Sequence, residues 1–309
     1  MTRPDAKRIV AMTGGTGFVG EATMERLLEA GWTIRALTRR TQEARGGVTW
    51  VSGALDNTAS LAELCDGADA VMHIAGVVNA PDKDGFIAGN VAGTENMLAA
   101  AKQAGVKRFL HISSLAAREP RLSDYGMSKS RAEKLVGTSM LDWTIVRPPG
   151  VYGPGDTEML DLFRLARRGF VVLPPRGRAS FIHVDDLARL LAALLPPHED
   201  ATARIFEADD GKPRGWSHKS YGRAIGWAMG RPVTAVSAPK AMLLAAAFAD
   251  RLFRRSKAKL TPDRARYLSH PDWVIDRNLA PPPALWQPEI ETRKGLKDTA
   301  RWYKANGWL

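Results

Sequence analysis

Thr13-Gly14-Gly15-Thr16-Gly17-Phe18-Val19-Gly20, set between the apolar run Ile9-Val10-Ala11-Met12 and the helical pattern that opens at Phe18, decides how this chain is read. A glycine admits backbone angles that a side chain forbids, and its missing Cβ lets the main chain lie against a pyrophosphate. Strand, glycine turn and helix in that order bring free N–H groups and the positive end of a helix dipole to the place a phosphate would occupy. The spacing reads either as Gly15-x-Gly17-x-x-Gly20, the general dinucleotide fingerprint, or as the wider Gly14-x-x-Gly17-x-x-Gly20. On both readings Gly14, Thr16, Gly17, Phe18, Val19 and Gly20 are the cofactor-binding candidates.

Outward from that turn, strand-like runs at 33–38, 48–52, 70–74, 108–113 and 143–147 alternate with helix-like runs at 21–30, 57–64, 89–104 and 124–136. That alternation is the pattern of a parallel sheet with helical crossovers. The fold expected is α/β: a Rossmann-type doubly wound parallel sheet of six strands, with residues 1–150 as the cofactor-binding domain. Asp124 is read as the cap of the 124–136 helix. After Gly150 proline and glycine become frequent and helical segments dominate, at 158–168, 185–195, 219–229 and 240–253. Residues 151–309 are therefore read as a smaller, mostly helical substrate lobe closing over the C-terminal edge of the sheet. Phe181-Ile182-His183-Val184 looks like a strand feeding a helix capped by Asp185-Asp186, so 182–195 is expected to return to the core and the boundary near 150 is soft.

At 309 residues and 45% hydrophobic, the chain can bury a large core. Its net charge of +11 is uneven, +2 over residues 1–150 and +9 over 151–309. A basic excess of this kind fits nucleic acid, an anionic membrane surface, an acidic substrate or a merely solvated surface. The sequence carries no nucleic-acid module, which sets nucleic acid aside. The single cysteine, Cys65, excludes an intrachain disulfide. With no apolar segment ahead of the first strand, and the longest apolar run (241–249) too short to span a bilayer, a cytoplasmic protein is expected, peripheral to the membrane if the basic lobe meets lipid.

Tyr125-Gly-Met-Ser-Lys129 carries the chemistry. Helix positions four apart share a face, and a protonated lysine beside a tyrosine favours phenolate, drawing a group whose ordinary pKa is about 10 toward working pH. Ser113-Ser114, at the end of the fifth strand, would reach the same crevice, where a hydroxyl can hold a substrate oxygen while Tyr125 trades its proton. At the end of the second strand Leu37-Thr38-Arg39-Arg40 offers no acid to grip a ribose 2′-OH, whereas an arginine suits a 2′-phosphate. The cofactor expected is NADP(H), with Arg39 and then Arg40 on the phosphate. His73, His111 and His183 have no acidic or thiol partner at metal spacing, and no metal is expected.

These stretches, together with Val71-Met-His-Ile-Ala-Gly76, Asn90-Val-Ala-Gly-Thr-Glu-Asn-Met-Leu98, Ile112-Ser-Ser-Leu-Ala116 and Val151-Tyr-Gly-Pro-Gly-Asp156, resemble the extended short-chain dehydrogenase/reductase family over nearly the whole chain. The resemblance implies that Tyr125 is the catalytic acid/base, that Lys129 supports it and binds ribose, and that Ser114 positions the substrate, with Ser113 as the fallback. It further implies that Asn90 supports the active-site helix and a proton relay. Ala75-Gly76 would form the turn beneath the cofactor ribose, and Pro148 to Val151 the loop beside the nicotinamide amide. Ala54 stands where the family often places an acid that contacts adenine, which leaves Leu55-Asp56 to substitute. Arg147-Pro-Pro-Gly150 precedes Val151 where nucleotide-sugar members tend to carry asparagine, and Leu115-Ala116 follows Ser114 where sugar dehydratases carry Asp-Glu. The pattern is most similar to dihydroflavonol-reductase and hydroxysteroid-dehydrogenase members. That implies carbonyl–alcohol interconversion on an apolar or amphiphilic small molecule. A nucleotide-sugar epimerase and a non-catalytic NADPH-binding subunit are the alternatives, and a homodimer is the family analogy.

One segment is left over. Met242, Ala245, Ala246, Ala249, Leu252 and Phe253 share a helical stripe, and Arg251, Arg254, Arg255, Lys257 and Lys259 follow closely. The stripe reads either as a helix packed in the smaller lobe or as a lid over a greasy substrate, its basic end resting on an anionic membrane.

Overall fold

A strand whose successive side chains are all apolar must be covered on both faces. In Ile9–Thr13 (β1), Val10 and Met12 enter one layer and Ala11 the other, all fully buried. The computed structural model describes residues 8–254 and 260–309; Arg255, Lys257 and Lys259 lie outside the described residues. From β1 the chain runs through Phe18–Glu29 (α1), Thr33–Thr38 (β2), Val48–Ser52 (β3), Thr58–Cys65 (α2), Ala70–His73 (β4), Lys83–Phe86 (α3), Gly93–Gln103 (α4), Arg108–Ile112 (β5), Asp124–Gly137 (α5) and Asp142–Val146 (β6). Gly150–Tyr152 (β7), Leu160–Arg167 (α6), Phe170–Leu173 (β8), Arg178–Ala179 (β9), Phe181–His183 (β10), Val184–Leu194 (α7) and Arg204–Phe206 (β11) come next. Trp216–Ser217 (β12), His218–Ala228 (α8), Thr234–Ser237 (β13), Lys240–Arg254 (α9), Pro262–Leu268 (α10), Asp272–Trp273 (β14) and Thr292–Ala305 (α11) complete it.

The main sheet is Rossmann-like and parallel, in the order β11-β6-β5-β4-β1-β2-β3. It has seven strands where the sequence suggested six, because β11 adds to the edge with Ile205 opposite Ile145. The chain leaves β1 toward β2 and β3, then returns to β4 on the other side. The C-terminal ends of β1 and β4 therefore flank the crevice where open α/β sheets bind ligands.

α1 and α7 pack together over one face, through Met24, Leu27, Leu187, Leu190, Leu191 and Leu194, while α2, α4 and α5 cover the other. Arg108, itself buried, secures α7. It donates to the carbonyls of Leu194 (2.6 Å) and Leu195 (3.1 Å), satisfying acceptors that a helix C-terminus leaves open, and pairs with Asp142 at 3.0 Å. A separate cluster that includes Tyr152, Phe163, Val171, Tyr221, Leu296 and Tyr303 joins α6, α8 and α11. Among the described residues no helix is long and apolar enough to cross a membrane.

Three local expectations are corrected. Ser123, not Asp124, caps α5, its Oγ accepting from the Gly126 N–H at 2.9 Å. His183, not the Asp185-Asp186 pair, caps α7; Asp186 instead accepts the N–H groups of Glu289 and Ile290. The helix expected over 89–104 begins earlier, capped by Asp82, and passes through a wide π turn, Ile87–Ala92, between α3 and α4.

Candidate active site

The glycine turn is shaped by close approach. Gly14 has φ +78°, and a Cβ there would lie 2.6 Å from the Ala75 nitrogen, so the ends of β1 and β4 meet backbone to backbone. A Cβ on Gly20 would fall 2.0 Å from the Gly14 oxygen. Thr13 ties the turns together, its Oγ1 accepting from the Ala75 N–H at 3.2 Å and meeting His73 Nδ1 at 2.7 Å. Gly17 heads α1 with extended backbone and no side-chain cap, leaving the first N–H groups for an incoming anion. Thr16 is exposed there and lines a cavity of about 510 Å³ with Thr41, Gln42, Arg45 and Trp50. Arg39 and Arg40 are exposed at the end of β2, and their side chains make no hydrogen bond or ion pair with the described residues. Asp56 is exposed, while Leu55 is half-buried against Gly93. A backbone cradle that side chains would fill, an uncapped helix N-terminus and two free guanidinium groups fit a phosphorylated dinucleotide.

The second group of residues gathers at the C-terminal end of β5. The Ser114 hydroxyl stands beside the Tyr125 phenol, close enough to favour its ionised form, and its Oγ accepts from the Ala116 N–H at 3.2 Å. Ser113 is turned away and donates to Glu133 Oε1 at 2.5 Å. Lys129, buried one turn after Tyr125, donates to the Ile112 carbonyl at 2.8 Å. Asn90 sits in the π turn, a feature frequent at functional sites. It grips Val77 by accepting its N–H at 2.6 Å and donating to its carbonyl at 2.9 Å, and also donates to Ser128 Oγ on α5 at 2.8 Å. A Cβ on Gly76 would lie 3.0 Å from Asn90 Oδ1 and 3.5 Å from Lys129 Nζ, so only a glycine leaves both uncovered. Pro148 accepts from the Leu115 N–H at 3.0 Å. The expected 148–151 loop is half strand, since Val151 pairs with Ile182 in the parallel contact of β7 with β10.

Electrostatics overturn one expectation. Burial pushes the Tyr125 phenol up to about 12, opposed by the neighbouring Ser114 hydroxyl, and Lys129 does not offset it. Burial also lowers the Lys129 ammonium to about 8, with Glu133 pulling the other way. The ammonium is directed at a carbonyl instead of the phenol, so in this state Tyr125 is a protonated acid and not a phenolate.

Sequence reasoning missed two supports. Glu133 lies one turn beyond Lys129 on α5 and is clasped by Arg147 through Nε (2.8 Å) and a terminal nitrogen (2.6 Å). Arg147 also pairs with the fully buried Glu207 at 3.3 Å. The spacing Tyr125, Lys129, Glu133 was itself the available signal. The second support is α10, whose Thr261-Pro262 start is a helix signature. Asp263 accepts from the Asp124 N–H at 2.7 Å, and the Tyr267 ring stands 6.1 Å from that of Tyr125, which also neighbours Phe86 at 6.0 Å. His73 and His111 stack at 5.4 Å in the core, and the ring nitrogens of His111 have no hydrogen-bond partner among the described residues. No cluster of three or more His, Cys, Asp or Glu side chains suited to a metal occurs among those residues.

The NAD dependent epimerase/dehydratase family matches residues 10–208, the span that contains both groups. The chain belongs to that family. A ceramide reductase of Caulobacter vibrioides is 36% identical over 99% of this chain and 97% of its own. A UDP-glucose 4-epimerase of Vibrio cholerae is 28% identical over 65% of this chain and 70% of its own. Among solved structures, MoeE5 in complex with UDP-glucose and NAD superposes with a TM-score of 0.73 at 20% identity, covering 97% of this chain and 99% of the other, a likeness of fold. Extended short-chain dehydrogenase/reductase architecture is thus common to reductases and epimerases in this family, and the side chains around Tyr125 must decide between them.

Proposed function

We propose that this protein is an NADP(H)-dependent reductase that converts a ketone on a lipid-like, ceramide-type substrate to a secondary alcohol. The observation that carries the reading is the gathering of the Ser114 hydroxyl beside the Tyr125 phenol, with Lys129 and Asn90 beneath Gly76. A relative alike over almost the full chain is a ceramide reductase, which favours a substrate with long hydrocarbon chains.

The glycine turn and the N-terminus of α1 would hold the pyrophosphate, Arg39 and Arg40 the 2′-phosphate, and Lys129 with Gly76 the ribose. When bound, the nicotinamide supplies the hydride. Ser114 and Tyr125 would hold the carbonyl oxygen between two hydroxyls, stabilising the negative charge that grows there. A phenol kept protonated by burial is suited to deliver its proton to that oxygen, and general acid catalysis of this type is worth about 10²- to 10⁴-fold. Lys129 and Asn90 would serve to replace the proton that Tyr125 gives up.

NADPH oxidation followed with ketone-bearing ceramide analogues, simple long-chain ketones and nucleotide sugars tests the reading. Turnover with the lipid ketones is expected, and Tyr125→Phe should lower kcat by about 10²- to 10⁴-fold while leaving NADPH affinity unchanged. Interconversion of a nucleotide sugar without net NADPH consumption would replace this reading with an epimerase. Cofactor binding with no turnover on any of the three would favour a non-catalytic subunit.

A further inference from the structure

The stripe that periodicity alone would send to the core faces outward. On α9 Ala247 is buried and Leu243 and Leu244 are half-buried. Met242, Ala245, Ala246, Phe248, Ala249, Leu252 and Phe253 are all exposed, Phe248 by 62%, Leu252 by 76% and Phe253 by 84%. Residues 241–249 hold no polar or charged side chain. The helix packs on α10, which carries the Tyr267 ring near Tyr125, so the roof over Tyr125 is α10 and the apolar face of α9 points elsewhere. An apolar surface of this breadth on one helix marks an interaction site.

Charge identifies the occupant. Between 240 and 260 the sequence has six basic residues, Lys240, Arg251, Arg254, Arg255, Lys257 and Lys259, against one acid, Asp250. The Asp250 carboxylate accepts the Leu260 N–H at 3.0 Å, closing the connection between α9 and α10. In a two-fold contact between copies the same patch meets itself, setting one basic segment against another. An anionic leaflet reverses that conflict, accepting apolar side chains below its headgroups and cations at their level.

We infer that the outward face of α9 docks this protein on an anionic phospholipid bilayer. The inference goes beyond the proposed chemistry and does not depend on it. Phe248, Leu252 and Phe253 enter the acyl boundary, and the basic excess of the 240–260 sequence favours an anionic headgroup layer.

The full-length chain, sedimented with vesicles of phosphatidylcholine alone or with a third phosphatidylglycerol, provides the test. Binding to the anionic vesicles is expected to be at least about tenfold tighter, and to weaken as salt shortens the screening length to a few ångströms. Phe248→Asp/Phe253→Asp should lower it at least about tenfold, with NADPH affinity and melting temperature kept as checks on the fold. Phe170→Asp, at an exposed phenylalanine on β8, should leave it unchanged. Equal binding to the two vesicle types, an unaffected double variant, or a wild-type dimer that the double variant dissolves with no vesicle binding would each overturn the inference. Because none of these readouts uses turnover, failure here leaves the reductase reading standing, and the reverse holds.

Discussion

Glu133→Gln removes one negative charge a helical turn from Lys129 while keeping the side chain's shape and one oxygen that can still accept from Ser113 and Arg147 Nε, at the cost of the second Arg147 bond. Burial holds the Lys129 ammonium down to about 8 and Glu133 resists the fall. Side chains four apart on a helix are neighbours, and two charges about 7 Å apart at an effective dielectric of about 20 interact by roughly 2 kcal/mol. That is roughly thirtyfold in an ionisation equilibrium. A lysine is charged below its pKa, so losing Glu133 makes the ammonium disappear at lower pH. Where the rate depends on that ammonium, its alkaline limb should move down by about one to two pH units. The assay is kcat/KM for NADPH-dependent ketone reduction between about pH 5 and pH 10, with most wild-type activity retained near pH 6. Melting curves at each pH separate this effect from lost stability, since Arg147 retains Glu207 as a partner. An unmoved alkaline limb would show that Glu133 does not set the charge of Lys129. Equal loss at every pH would show that it only holds the fold.

Three further outcomes are expected. Arg39→Ala should weaken NADPH binding by roughly 10- to 100-fold and leave NADH binding unchanged, the scale of one charge-assisted phosphate contact, as measured by fluorescence titration of both cofactors; comparable wild-type affinities for the two would refute the NADP(H) assignment. Gly20→Ala should cost about 3 kcal/mol or more in thermal unfolding and disrupt cofactor binding, because the new methyl would fall on the Gly14 carbonyl. His73 is held down to about 3 by burial and by Lys129, so the unfolded chain takes up its proton near pH 6.5 while the folded one refuses it. This contribution is full above about pH 6.5 and falls as pH drops toward 3, and His73→Gln should lessen the loss of melting temperature across that window, His111 supplying a remainder of the same sign.

What was legible in the sequence was whatever repeats along the chain. β2 and β3 could be bounded to the residue because each is a short run rich in β-branched and apolar residues fenced by turn residues. β11 escaped because Arg204-Ile205-Phe206 is three residues long, and only its place beside β6 makes it a strand. The glycine turn and the Tyr125–Lys129 spacing could be read because they are local. Which hydroxyl of Ser113-Ser114 faces Tyr125 depends on Glu133, twenty residues on, and on Arg147 behind it. The charge state of Tyr125 depended on burial, which spacing does not reveal. The stripe on α9 shows the same limit from the other side: periodicity identifies an apolar face but not what covers it.

The contacts around α5 join these separate findings. Its N-terminal N–H groups are held by Asp263 of α10, and its inner face carries Tyr125, Lys129 and Glu133 in successive turns. Glu133 is fixed in turn by Arg147, the residue before Pro148. Two elements that follow residue 146 therefore brace the helix that carries Tyr125, one at its start and one two turns further on. Arg264 of α10 also pairs with Glu158, tying α10 to the segment just ahead of α6. Since α9 packs directly on α10, the path from the exposed apolar face to Tyr125 is two helix contacts long. A lipid substrate drawn from a bilayer would enter the crevice beside the element that orients Tyr125. The exposed apolar face of α9 and Tyr125 thus share one support, α10, while the glycine turns rest elsewhere, after β1 and β4.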